Sequence, residues 1–263
     1  MTARHARTAV ILVGGLALLA LVAWRAGASA VHYASDPSHE PCPAVTPGNH
    51  TVSVATPEGP RPVLLHASRA AYAPRPLVLA LPGAGPTAYS RLASRENFLV
   101  AYPSAGGFAG VQALNQLESS LCVDKARVYV AGGGTAARLA CELSPRLAGV
   151  AVMGDGRTLR ACRPARPLTV LEIHGVMTPR AGASVERWLA HWRHADRCRG
   201  LAARLVPGPG VTEIAWRHCA AGTRVEDVQI GRAARAWPGA PPTVESAAAW
   251  RVWQLFKTFP PRT

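Results

Sequence analysis

The sequence predicts a three-layer α/β/α sandwich built on a mostly parallel sheet, and three observations carry that prediction. Short, largely apolar runs recur along the chain, as strands buried on both faces require. Stretches with apolar residues at helical spacing separate these runs. The two kinds of segment alternate, which is the pattern of parallel strands joined by crossover helices. At 263 residues and 49% hydrophobic content, one such domain can bury its own core, and residues 50–263 are assigned to it.

Taken in order, residues 50–55 and 62–66 flank the turn signal Pro57-Glu58-Gly59-Pro60 and are expected to form an antiparallel hairpin. The apolar runs 77–81, 98–102, 128–131, 148–153 and 168–173 read as buried parallel strands. Residues 88–95, 111–121, 136–143 and 184–195 are the helices among them. In the last of these Val185, Trp188, Leu189 and Trp192 fall on one face and are expected to pack in the core. Strands at 211–216 and 225–230 and a closing helix at 244–256 complete the domain. Residues 31–49, rich in Pro, Ser and charge, are expected to be a mobile lead-in.

Residues 1–30 read as an export signal or an N-terminal membrane anchor. Arg4, His5 and Arg7 form a positive start, 9–24 are an apolar run, and Ala28-Ser29-Ala30 offers small residues for cleavage. A run of 16 is short for a membrane span of about 20. Both outcomes, a released protein and an anchored one, put the body outside the cytoplasm. Six cysteines agree with that compartment, because disulfides persist where the surroundings oxidise. Cys198 and Cys219 bracket a short segment before the last strands and are the preferred pair. Cys42, Cys122, Cys141 and Cys162 leave three connectivities open, and Cys141 reads equally well as a small buried hydrophobe.

The formal charge is +14, and of 29 basic residues only Lys125 and Lys257 are lysines. Arginine excess of this kind, beside abundant Ala, Gly and Pro, reads first as coding bias. Its functional reading is attraction to an anionic surface such as the cell envelope. The arginines do not interleave with aromatics in runs, which argues against a nucleic-acid partner. Nothing in the sequence calls for a metal or a cofactor.

Four stretches in order resemble secreted α/β-hydrolases of the polyhydroxybutyrate depolymerase and feruloyl esterase type. Leu77-Val78-Leu79-Ala80-Leu81-Pro82-Gly83-Ala84-Gly85 is similar to the strand and oxyanion loop of that family, L-V-L-x-L-H-G-C-G. Phe98-Leu99-Val100-Ala101-Tyr102-Pro103 is similar to G-F-x-V-x-Y-P. Residues 124–132, with Arg127-Val128-Tyr129-Val130, resemble the strand before the nucleophile, and Ala236-Trp237-Pro238-Gly239-Ala240 resembles the T-W-P-G-A that follows the catalytic histidine. The resemblance spans residues 50–256 and implies an α/β-hydrolase fold.

It also locates a triad, and none of its members is present. Ester hydrolysis in this fold needs a serine on a strained strand-to-helix turn, a histidine to take its proton and an acid to orient that histidine. The nucleophile position is Gly134, in Gly132-Gly133-Gly134-Thr135-Ala136. The acid position in His174-Gly175-Val176-Met177-Thr178-Pro179 is Thr178, and the histidine position is Arg235, which cannot act as a base. No histidine lies in or beyond 225–230, where the resemblance requires one.

Rebuilt sites are weaker readings. Thr135 sits one residue past the nucleophile position without a base, and Ser90, Ser104 and Asp155 are expected to be ordinary surface residues. His174 is expected to be a packed strand-end residue. Pro82, Gly83, Ala84 and Thr135 form the remnant of the oxyanion loop, where backbone donors of Ala84 or Thr135 could still hold an anion or carbonyl. Gly134 is expected to hold a backbone geometry that serine tolerates poorly. The expected function is therefore that of a non-catalytic, exported α/β-hydrolase-fold protein binding a small anionic or ester-like ligand. The alternative is a carboxylic-ester hydrolase using another constellation.

Overall fold

The structure is a computed structural model and describes residues 42, 45–56, 59–68, 73–82, 89–103, 108–154, 162–175, 179–208, 210–231 and 247–259. All of them lie within one compact unit, Pro41–Thr263. The expected export segment 1–30 falls outside the described residues, as does most of 31–49.

Ten strands form one sheet: β1 (Gly48–Val54), β2 (Arg61–Ala67), β3 (Arg75–Ala80), β4 (Leu99–Pro103), β5 (Val123–Gly132), β6 (Gly149–Met153), β7 (Thr169–Gly175), β8 (Ala203–Gly208), β9 (Val211–Trp216) and β10 (Val225–Ile230). Their order is β1-β2-β4-β3-β5-β6-β7-β10-β9-β8. The six strands from β4 to β10 are parallel, as their doubly buried sequences require. β1 and β2 form the expected antiparallel hairpin, in register from Gly48 opposite Ala67 to Val54 opposite Arg61. β9 and β8 extend the far side antiparallel. This is the α/β-hydrolase architecture that the sequence predicts.

The pleat divides each parallel strand between two cores. Leu77, Leu79, Val128, Val130, Val150 and Val170 face helices α2 (Phe108–Ser120), α3 (Gly134–Glu142) and α4 (Pro179–Ala195), meeting Leu114, Leu139, Trp188 and Trp192. Val78, Tyr129, Ala151 and Leu171 face α1 (Ser90–Glu96) and α5 (Ala247–Phe256). On that side Phe98 stacks on Trp253 at 3.9 Å between ring centroids, and Tyr129 on Phe256 at 4.4 Å. The Tyr129 hydroxyl donates to the Phe256 carbonyl at 3.1 Å, so the last helix is tied to the middle of the sheet. Val185, Trp188, Leu189 and Trp192 are buried, as their spacing predicts.

Three elements differ most from the sequence reading. α4 starts at Pro179, five residues before the expected 184. β8 is an unforeseen strand: residues 203–206 are exposed and lack the alternation of a half-buried strand, and it is pairing with β9 that makes them extended. β5 begins five residues before the apolar run, because Val123 pairs with Arg75 while Asp124 holds the Ala126 amide at 2.9 Å and the Arg127 guanidinium at 2.6 Å.

All six cysteines are bonded: Cys42 to Cys122, Cys141 to Cys162 and Cys198 to Cys219. This chooses among the three open connectivities and removes the reading of Cys141 as a simple hydrophobe. Cys198 and Cys219 are the expected pair, with α-carbons 3.8 Å apart, well below the roughly 7 Å beyond which no bridge closes. Three bridges fit folding in an oxidising compartment. No helix among the described residues is long and apolar enough to cross a membrane. Replacing Cys198 and Cys219 together by alanine should lower the unfolding free energy in urea by about 3 kcal/mol, the value for a loop of this size. An unchanged denaturation midpoint would show that the bridge constrains nothing.

Candidate functional site

In an open parallel sheet the ligand crevice forms outside the carboxyl ends of the strands, where the chain switches direction. Here β3 has β4 on one side and β5 on the other, so the switch point lies between the ends of β3 and β5. Leu81 and Pro82 leave β3 at that point, and Gly132, Gly133 and Gly134 leave β5 and open α3. The Leu81 amide donates to the Ala131 carbonyl at 2.7 Å and the Gly133 amide to the Pro82 carbonyl at 2.8 Å, which lock the two turns together.

The two outer glycines of this turn have different reasons to be glycine. Gly132 has φ +157, and a β-carbon there would lie 2.8 Å from the β-carbon of Leu81, so only glycine lets the turns approach. Gly134 is exposed, its φ is outside the left-handed region, and a β-carbon on it would meet nothing within 4 Å. The expectation that serine would be poorly tolerated at Gly134 is therefore corrected. Gly134 opens α3 with a φ outside the left-handed region, so a side chain there is not strained.

Thr135 is half-buried beside it, and its amide, like that of Gly134, belongs to the first turn of α3, which has no intrahelical acceptor. Pro82 is exposed at the rim. Gly83, Ala84, Ser104, Asp155, Thr178 and Arg235 lie outside the described residues. The strand ends that precede Thr178 and Arg235, Gly175 of β7 and Ile230 of β10, are at the same carboxyl end of the sheet as Gly134.

His174 ends β7 and is only 7% exposed. Its Nε2 lies 2.9 Å from Asp227 Oδ1 and its Nδ1 2.8 Å from the Gly175 carbonyl. Burial opposes the charge, but the hydrogen bonds to Asp227 and Gly175 and the charge of Asp227 outweigh it, and its pKa is raised. Both ring nitrogens are engaged within the sheet. His174 is the packed strand-end residue the sequence suggests, joining β7 to β10. Ser90 is buried rather than a surface residue, with its hydroxyl 3.0 Å from the Tyr102 hydroxyl.

One arrangement escaped the sequence reading. His66 on β2 has Nε2 2.8 Å from Ser94 Oγ on α1 and Nδ1 2.6 Å from Asn49 Oδ1 on β1. With Asn49 accepting at Nδ1, Nε2 is left free to accept from the serine hydroxyl, the order of hydroxyl, imidazole and orienting group found in nucleophilic catalysis. It lies at the amino ends of the parallel strands, since His66 pairs with Val100 near the start of β4, and so opposite the crevice. Its three members come from three elements, with no motif in the sequence to reveal them.

The sequence matches no protein-family model and no curated protein. Solved structures are similar to it in fold. A thermostable carboxylesterase from a metagenomic library aligns with a TM-score of 0.52 at 12% identity, over 85% of this chain and 92% of that one. A hyperthermophilic esterase from Pyrobaculum calidifontis aligns at 0.52 and 13% identity, over 82% and 87%. A dienelactone hydrolase from Klebsiella pneumoniae aligns at 0.51 and 14% identity, over 80% and 98%. The chain thus has the fold of the α/β-hydrolases, a class in which function resides in the site and not in the fold.

Proposed function

We propose that this is an exported, non-catalytic relative of the secreted polyhydroxybutyrate depolymerase and feruloyl esterase type, which binds a small anionic or ester-like ligand in the crevice between β3 and β5. The observation that carries this reading is Gly134: at the one place where this fold presents its nucleophile there is no side chain. The hydrogen bonds of His174 to Asp227 and the Gly175 carbonyl support it, because the histidine nearest in sequence to the acid position is already engaged within the sheet. First-turn amides of α3 and the charge of Arg235, placed beside the crevice by the resemblance, favour a carboxylate or another anion.

A second reading, a carboxylic-ester hydrolase with a different constellation, is favoured by the Ser94, His66 and Asn49 relay. A fluorophosphonate probe and a panel of short-chain nitrophenyl esters separate the two. The parent should neither label nor turn over. Gly134→Ser should fold normally and stay inactive, because a hydroxyl without its base gains little when triad members act as one unit. Gly134→Ser with Thr178→Asp and Arg235→His should acquire modest turnover. Labelling of the parent that disappears in Ser94→Ala, Ser90→Ala or Thr135→Ala would defeat the non-catalytic reading.

A further inference from the structure

We infer that the edge of the sheet formed by residues 197–206 and 217–218 is a docking surface for an anionic lipid membrane. All the large hydrophobic residues that the described part of the protein exposes are here: Leu201 at 96%, Val206 at 68% and Leu205 at 42%. They are interleaved with exposed arginines. Arg197, Arg199, Arg204 and Arg217 have no carboxylate partner among the described residues. The carboxylates closest to them along the chain are engaged elsewhere: Glu213 by Arg251, Glu186 by Arg193, and Asp196 in the interior.

The geometry gathers these charges. The Arg199 amide donates to the His218 carbonyl at 2.8 Å, and the Cys198–Cys219 bridge clamps the same two segments. Arg197, Arg199 and His218 then line one cavity of about 280 Å³ with Cys219 and Ala220. Arg197 follows α4 at the left-handed position of a Schellman cap, with φ 51, the Arg197 amide on the His194 carbonyl and the Cys198 amide on that of Arg193. Glycine is the cheaper residue there, yet an arginine holds the position.

Apolar side chains that enter the headgroup boundary and unpaired cations that meet anionic lipid are the two components of interfacial binding. An extended protein partner is the poorer occupant, because β8 contains Pro207 and breaks register between Leu205 and Gly208, devices that discourage edge pairing. A second copy of this chain would bring like charges together. The orientation also suits a membrane. β8 starts opposite Ala215, near the end of β9, so residues 197–203 and 217–218 lie at the amino ends of the parallel strands, away from the crevice. β1 starts at that same end, and Cys42 is bonded there to Cys122, just before β5. Cys42, the first described residue, is therefore held at the end of the sheet that carries the cationic residues.

The test is partition of the full chain onto vesicles of phosphatidylglycerol and of phosphatidylcholine at about 0.1 M salt. Binding to phosphatidylglycerol should be at least about tenfold tighter and weaken with salt. Arg197→Gln with Arg199→Gln and Arg217→Gln should cut it on the order of a hundredfold. Leu201→Ser with Val206→Ser should weaken binding to both vesicles. Equal binding by the parent and the arginine variant would overturn the proposal. So would a parent dimer that Leu201→Ser and Val206→Ser dissociate without any lipid preference, and so would binding of inorganic phosphate with none. These outcomes are independent of whether the crevice is catalytic.

Discussion

Replacing Arg251 by alanine should destabilise the protein by about 3 kcal/mol, the cost of leaving buried Glu213 without its cation and Glu226 with Arg224 alone. Arg251 projects from α5 between β9 and β10. Its Nε donates to Glu213 at 2.8 Å and a terminal nitrogen to Glu226 at 3.0 Å, while Arg224 approaches Glu226 at 3.6 Å. Glu213 and Glu226 are both buried, so neither carboxylate can fall back on water when the guanidinium is removed. Urea denaturation gives the loss directly, and a change below about 1 kcal/mol would mean that water already serves these groups. The charge origin of the effect has its own signature. Arg251→Met, which keeps an apolar stem without the cation, should show most of the same deficit. Near-parental stability in Arg251→Met would assign the loss in Arg251→Ala to packing of the arginine stem.

The second large effect is a dependence of stability on pH carried by Asp196. This residue follows α4 and is fully buried; its Oδ1 accepts the Leu168 amide at 3.0 Å, and its Oδ2 is buried without a partner among the described residues. Burial pushes its pKa up to about 7, with the Leu168 amide pulling weakly the other way. Between pH 4 and pH 7 the unfolded carboxyl has released its proton while the folded one retains it. Unfolding therefore releases a proton, and raising the pH favours the unfolded chain. At roughly 1.4 kcal/mol per pKa unit, a shift of about three units removes about 4 kcal/mol by pH 7, after which the loss levels off. His174 acts in the same direction, because a raised imidazole pKa gives stability that is complete below its unfolded value and is lost as pH rises through the folded one. Asp196→Asn keeps an acceptor for Leu168 and cannot ionise. Denaturation midpoints at pH 5 and pH 8 should lie much closer together in Asp196→Asn than in the parent. Equal slopes in the two proteins would refute the assignment.

Much of the fold was legible because burial leaves a local trace. Leu77 to Leu81 are apolar at every position and Leu168 to Ile173 at all but Thr169 and Glu172, a pattern that fits strands covered on both faces, and Trp188 and Trp192 announce the buried face of α4 by their spacing. β8 left no such trace, since its residues are exposed and its conformation comes from β9. The site was half legible. The run of glycines at 132–134, and the absence of a side chain at Gly134, are properties of the sequence alone. That Gly132 rather than Gly134 is the glycine demanded by close approach could be learned only from where Leu81 lies.

The sequence by itself determined the alternation of strands and helices, the excess of arginine and the three glycines at 132–134, because each depends on residues close in the chain. Tertiary structure decided the cysteine pairing, the partners of His66 and His174, the burial of Asp196, and the gathering of unpaired arginines beside Leu201 and Val206. Each of these joins residues from different elements. The interaction of charges and hydrogen-bonding groups is set by distance through space and by exclusion of water, and neither is encoded in any local pattern of the chain.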